Sequence, residues 1–486
     1  MSTTTSSPVE NASSRRLHKS GIGILPITLF VIAAASPLTV VVGAIPITIG
    51  NGAGAGVPVI FLIAGLVYLI FAVGYGAMAQ HIGNAGAFYT FITQGLGRPF
   101  GVGGALLALL AYSAVQAGVY GAFGYFMQDF ISSHFQLALP WWVYALACAL
   151  LVQWIGGRRI NLSGKVLSGI LVLEASILLV VDIAILVNSQ ARPPLDLASF
   201  HPSAIFNQGF GASMVFVIAA YIGFEATAIF AEEARDPRRT VPRATYLAVI
   251  LITLFYMFCS WAIIEFYGSS AISEAARAHP ATLWTSVSDQ LIGAAPTLLM
   301  NILVLTGMFA CILAFHNSIT RYLFSLSREG VLWEGLSRTH AKHQSPHMAG
   351  RSQTAFAIAL IVICALCSLD PYNVVFAWFS GLAALAIVAL QLLAAIAIYR
   401  YFARNPFNHR LWTRRLAPLL SIILLAAVTV LMVANMPALT GTNNWVVTSF
   451  PWLVILTVLI GMAIAYRMKG KHPDRYAALG MSIDPE

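Results

Sequence analysis

Charge is what this sequence has least of. Of its 486 residues only 9% are Asp, Glu, Lys or Arg, against about a quarter in an ordinary soluble domain. That shortage excludes a chain with a fully hydrated surface. The five cysteines, Cys148, Cys259, Cys311, Cys364 and Cys367, all fall inside apolar stretches, so no disulfide framework is implied and they read as small buried hydrophobes. Cys364-Ala-Leu-Cys367 has redox or metal spacing, but no His or acidic residue stands beside it to complete a site. Neither HExxH nor GxSxG occurs, so the converging groups of a metalloprotease or serine hydrolase are missing, and no catalytic residue, metal or cofactor is expected.

What is present is hydrocarbon: 59% of the residues are hydrophobic. Apolar runs of about 18 residues or more, enough for a helix to cross a ~30 Å hydrocarbon core, number twelve, near 24–49, 57–81, 102–127, 140–157, 165–188, 210–231, 244–266, 293–326, 352–369, 374–400, 416–435 and 446–466. An all-α membrane protein with 12 transmembrane helices follows. With the amino terminus placed in the cytoplasm, the inner segments hold 25 of the 27 basic residues and only Arg192 and Arg277 lie outside, as retention of Lys and Arg during insertion requires. Topology thus accounts for the net charge of +9 without a nucleic-acid partner. Ala33-Ala34-Ala35 imitates a signal-peptidase site, but the apolar run continues past it, so the first span is read as retained. Residues 1–20 and 470–486 read as polar, disordered cytoplasmic tails.

Two spans carry helix breakers at mid-depth. The first has Ala35-Ser36-Pro37-Leu38-Thr39 and the sixth has Tyr221-Ile222-Gly223-Phe224-Glu225. Proline removes an amide donor and clashes with the preceding turn, and glycine weakens a helix. Backbone groups freed in hydrocarbon need a partner, so such interruptions line cavities. The first and sixth spans open two successive groups of five, the pattern of an inverted-repeat transporter with its site at the midplane. A simple kink at Pro37 and a packing contact at Gly223 are the plain alternatives.

Several stretches resemble one family. Gly223-Phe224-Glu225-Ala226 followed by Ala234-Arg235-Asp236-Pro237-Arg238-Arg239-Thr240-Val241-Pro242-Arg243-Ala244 is similar to the end of the sixth helix in the amino acid-polyamine-organocation (APC) superfamily. His81-Ile82-Gly83-Asn84-Ala85-Gly86-Ala87-Phe88-Tyr89 resembles its Pro-x-x-Gly-Gly-x-Tyr element, and Ser327-Arg328-Glu329-Gly330-Val331-Leu332 its Arg-Asp-Gly loop. The resemblance covers about residues 21–400 and rests on the order of these motifs. It implies a LeuT-type 5+5 inverted repeat with two peripheral helices, broken helices one and six, and alternating access. The chain then divides into 21–190, 191–405 and 406–469 between the two tails.

The resemblance also implies a site. Substrate would lie on the backbone at Ser36, Pro37, Leu38 and Thr39, with Tyr221, Ile222 and Gly223 opposite. Exposed amides at a half-helix start favour an anion and exposed carbonyls a cation. Pro37 has no amide, which alters a carboxylate cradle and admits amines; a similar first-helix sequence occurs in putrescine-importer-like branches. Tyr112 and Gln116, four apart on one helical face, and Phe315 would face the solute, with Ser380 a further candidate. Packing is the plain reading of Tyr112 and Phe315, and a structural role that of His316, although an imidazole titrates near neutral pH.

Glu225 and Glu174 are carboxylates inside apolar runs, where an ionised group costs several kcal/mol and marks a pathway or relay. Glu225 either accepts backbone amides or exchanges a proton as the site opens to each side, and the resemblance favours the second. Glu174 falls about where some proton-coupled relatives carry a lysine; proton, cation and substrate ammonium all remain open for it. Asp182, eight residues on, reads as an outer-vestibule residue. The expectation is a secondary transporter of amino acids or small amines in a bacterial inner membrane, coupled to protons rather than sodium. A polyamine importer, a passive channel and an integral membrane enzyme are the alternatives.

Overall fold

A computed structural model of the chain describes residues 23–82, 87–157, 164–188, 193–225, 227, 236–339, 345–405, 407, 410–437 and 444–480. Among these the secondary structure is helical, with no strand. In hydrocarbon a helix satisfies each backbone donor and acceptor within one segment, and the apolar runs leave it no competitor. Among the described residues ten helices are long and apolar enough to cross a membrane, and two more apolar helices are shorter, Trp141–Gly157 and Phe210–Ala219. The expected run at 210–231 is helical over Phe210–Ala219 and turns through Glu225, while residues 226 and 228–235, with Ala226, Ala234 and Arg235 of the motif, lie outside the described residues.

The first apolar run is three pieces: α1 (Ile24–Ala35), a short turn of helix over Pro37–Thr39 continuing through a π-helical stretch Val40–Ala44, and α2 (Ile45–Asn51). Then come α3 (Val57–Ala79), the short α4 (Ala87–Leu96), the long α5 (Arg98–Phe135), α6 (Trp141–Gly157) and α7 (Gly164–Val187). The sequence of element types then recurs. An interrupted helix, α8 (Phe210–Ala219), precedes α9 (Pro237–Tyr267), the short α10 (Leu283–Ile292), the long α11 (Ala294–Arg328), α12 (His347–Leu366) and α13 (Ala377–Arg404). α14 (Ala417–Ala434) and α15 (Phe450–Lys471) follow.

Lipid-like surroundings provide no hydrophobic drive between helices, so close packing of small residues holds them together. α5 and α15 meet backbone to backbone at such a point: a Cβ on Gly461 would stand 2.6 Å from the Gly103 Cα. The polar end after α15 is not an extended tail as far as Gly480. Pro473–Ala478 forms a last helix, α16, and Leu479 is buried, because that leucine finds an apolar recess among Tyr89, Val102, Leu326 and Met468.

Candidate functional site

The first interruption is set at Ser36, whose backbone takes the left-handed conformation (φ 48°, ψ 72°). Its amide closes α1 on the Ala33 carbonyl at 3.1 Å, and its carbonyl receives the Val40 amide at 3.2 Å. Pro37 then stands at the first position of the new helical turn, where its missing N–H costs nothing. Ser36 Oγ and Thr39 Oγ1 lie 2.7 Å apart and close the turn with a side-chain hydrogen bond. Glu174, buried on α7, turns its carboxylate to the Leu38 amide. Room for it comes from Gly307 of α11: a Cβ there would stand 2.6 Å from Glu174 Oε1 and 3.2 Å from Ser36 Oγ. The amide expected to cradle a solute anion is therefore met by the chain's own carboxylate.

The second interruption begins as α8 tightens. The amides of Tyr221 and Ile222 reach back three residues, to Ile218 and Ala219, each at 3.1 Å. Gly223 takes φ 114°, which a side chain would resist. Its amide donates to Glu225 Oε2 at 3.0 Å, so the carboxylate replaces a helix carbonyl. Tyr112 Oη donates to Glu225 Oε1 at 3.0 Å, and Tyr75 Oη to the Glu225 carbonyl at 2.9 Å. Tyr221 points elsewhere. Its hydroxyl donates to the Phe61 carbonyl at 2.9 Å and lies 2.9 Å from Thr253 Oγ1, tying the turn to α3 and α9. Ile222 is buried.

One face of α11 runs past both interruptions. Gly307, Cys311 and Phe315 follow at four-residue steps and share that face. Gly307 borders Ser36 and Glu174, while the Phe315 ring packs at 5.8 Å from Tyr112, the residue that holds Glu225. The match with a known family runs further toward the carboxyl end than the motifs suggest: residues 27–475 fit the amino acid permease family. The chain belongs to that family.

Relatives with characterised names sit at modest identity. The branched-chain amino acid permease BcaP of Bacillus subtilis is 27% identical over 61% of this chain and 65% of its own length. That of Lactococcus lactis is 27% identical over 64% and 68%, and the serine/threonine exchanger SteT of Bacillus subtilis 24% over 55% and 56%. The chain thus spans just under two thirds of the Bacillus permease. A polyamine substrate gains no support from these names.

Not every expected residue gathers at the interruptions of this permease-family chain. Gln116 spends both ends of its amide on neighbours: Nε2 donates to the Ile312 carbonyl at 3.1 Å and Oε1 accepts from Gln353 of α12. His316 is buried, but a helix turns successive side chains about 100° apart, and its ring faces away from Phe315. It lies where α6 and α12 present glycines, Cδ2 being 3.1 Å from a Cβ built on Gly156 and Nε2 3.6 Å from one on Gly350. Ser380 lies against Gly118 on α5. Asp182 is fully buried rather than in a vestibule, since α9 and α10 cover it with Cys259 and Trp284. Sequence reasoning missed Gly307, Tyr75, Gln353 and Tyr322, whose ring lies 5.9 Å from that of Tyr112. Gly307 and Tyr75 sit in apolar surroundings along their own helices, and only the neighbouring helix reveals what each is for.

Proposed function

We propose that this chain is a secondary transporter of amino acids, working by alternating access in a LeuT-type 5+5 arrangement with both tails in the cytoplasm of a bacterial cell. The observation that carries the reading is the pair of interruptions, at Ser36 and at Gly223, flanking one face of α11. The recurrence of broken, long, short and very long helices in the two halves supports it. The solute lies against the main chain of Ser36–Thr39 and Tyr221–Gly223, under the Tyr112 and Phe315 rings. The names of the most similar relatives favour branched-chain amino acids as the class to test.

Proton coupling is the mechanism we assign. Glu174 meets the Leu38 amide, so a solute carboxylate seeking that amide meets a group whose charge repels it; a proton taken up by Glu174 removes the repulsion. Glu225 holds the second turn through the Gly223 amide, and a proton there weakens one acceptor and loosens the turn. The test is uptake into proteoliposomes of leucine, isoleucine, valine, serine, threonine and putrescine, with imposed pH or sodium gradients. Saturable uptake of leucine that a proton gradient stimulates is expected. Flux that rises without saturation is the signature of a channel, and stimulation by sodium alone removes the proton assignment.

A further inference from the structure

The cytoplasmic end implied by the basic loops carries a second built feature, remote from the helix interruptions. After α15 the backbone turns at His472, and α16 lies back over the neighbouring loops. Leu479, 1% exposed, plugs a small apolar cluster made of Tyr89 on α4, Val102 and Ala105 on α5, Leu326 on α11, Val331 beyond it, and Met468 on α15. Around that plug lie polar ties. Arg98 Nη2 donates to the Ala477 carbonyl at 2.7 Å, and its guanidinium lies 5.3 Å from the Tyr476 ring centre. Arg475 pairs with Glu334, beyond α11. Tyr89 donates to Glu329 Oε2, and the Gly480 amide faces both of these groups. Gly480 takes φ 68° and presses on Thr93, whose Cγ2 would be 2.7 Å from a Cβ there.

Eight residues thus bridge three elements, α4, the start of α5 and the turn after α11, and add to the direct tie that Tyr89 makes from α4 to Glu329. The exposed Arg475–Glu334 pair contributes little, because two hydrated, flexible side chains gain little from meeting. The buried leucine is the main fastening, with the Gly480 amide set beside the part-buried Tyr89–Glu329 hydrogen bond. An anchor of one apolar side chain and a few polar ties opens far more readily than the core.

We propose that Pro473–Gly480 is a releasable latch: docked, it holds α4 against the turn after α11 and slows opening of that end, and released, it lets α4 move. The effect on turnover rests on the transport reading above; the docking does not. The test compares the full chain with one stopped after Lys471 and, because a truncation disturbs folding more readily, with Leu479→Ser and with Tyr89→Phe. Hydrogen exchange in α4 and in residues 326–334 should rise about tenfold in the truncated and Leu479→Ser proteins, and less in Tyr89→Phe. Initial leucine uptake per folded molecule should rise two- to fivefold in the same order, within the modest range of switch energies. Unchanged exchange in α4 overturns the latch. So does slower uptake with a lowered melting temperature, which marks a structural brace. If the full chain moves no leucine while its truncation still loosens α4, the docking stands and the transport reading falls.

Discussion

Gly307 and Glu174 meet more closely than a side chain at position 307 would allow: with a Cβ in place of the glycine hydrogen, carboxylate oxygen and carbon would be 2.6 Å apart. Two helices distant in sequence are thereby cut to fit one another beside the Ser36 turn. The acid is set by α7 and the space for it by α11.

Gly307→Ala should displace the Glu174 carboxylate from the Leu38 amide. A shift of about 1 Å in a positioned group costs on the order of 100-fold, so a fall of that size in leucine kcat/KM is expected in proteoliposomes. Glu174→Asp, one methylene shorter, should restore part of the loss in the double variant. Additive losses would show that the two residues act separately.

Glu225 combines a backbone duty with the proposed proton duty, and two substitutions separate them. Glu225→Gln keeps an oxygen acceptor for the Gly223 amide, so the protein should fold and bind leucine, yet uptake should no longer respond to a pH gradient. Glu225→Ala removes the acceptor from a buried amide and should cost about 1–3 kcal/mol in stability. Thermal melts of the two variants, beside uptake with and without the gradient, check both outcomes.

His316 should not carry coupling. Its ring lies among Gly156, Gly350 and α6, on another side of α11 from Phe315. His316→Gln is expected to leave gradient stimulation within about twofold of the parent while lowering the melting temperature, as loss of core packing does. Abolished stimulation in a well-folded His316→Gln protein would return the imidazole to the pathway.

Glu329, beyond the end of α11, gives a pH dependence with a definite sign. Burial raises its carboxyl above the usual carboxylate range, although Tyr89, Gly480 and Arg328 act the other way. A folded pKa above the unfolded one contributes stability at acid pH, and that contribution is lost as pH rises through the folded value. Glu329→Gln, which still accepts from Tyr89, should therefore melt higher than the parent at neutral pH, with the gain shrinking near ~pH 4. A gain independent of pH would contradict this.

Much of the architecture was legible because the bilayer imposes one dominant rule. Long apolar runs must be helices, and Pro37 and Gly223 interrupt two of them for reasons local to the backbone. The site was legible in part. Tyr112, Phe315 and Glu225 do come together, but Gln116 offers its amide to α12 and Tyr221 its hydroxyl to α3 and α9. Helical spacing says which residues share a face. It does not say which neighbour that face meets.

By itself, then, the sequence determined that the chain is helical, where two helices break, and which family it joins, since these depend on local composition and motif order. Only the tertiary structure decided that Glu174 answers the Leu38 amide, that Gly307 makes space for it, that Asp182 is enclosed, and that Leu479 fastens a segment whose polar composition reads as a loose tail. Each of those facts is a meeting of residues far apart in the chain. Such meetings are set by how the helices pack, and no local pattern of residues encodes them.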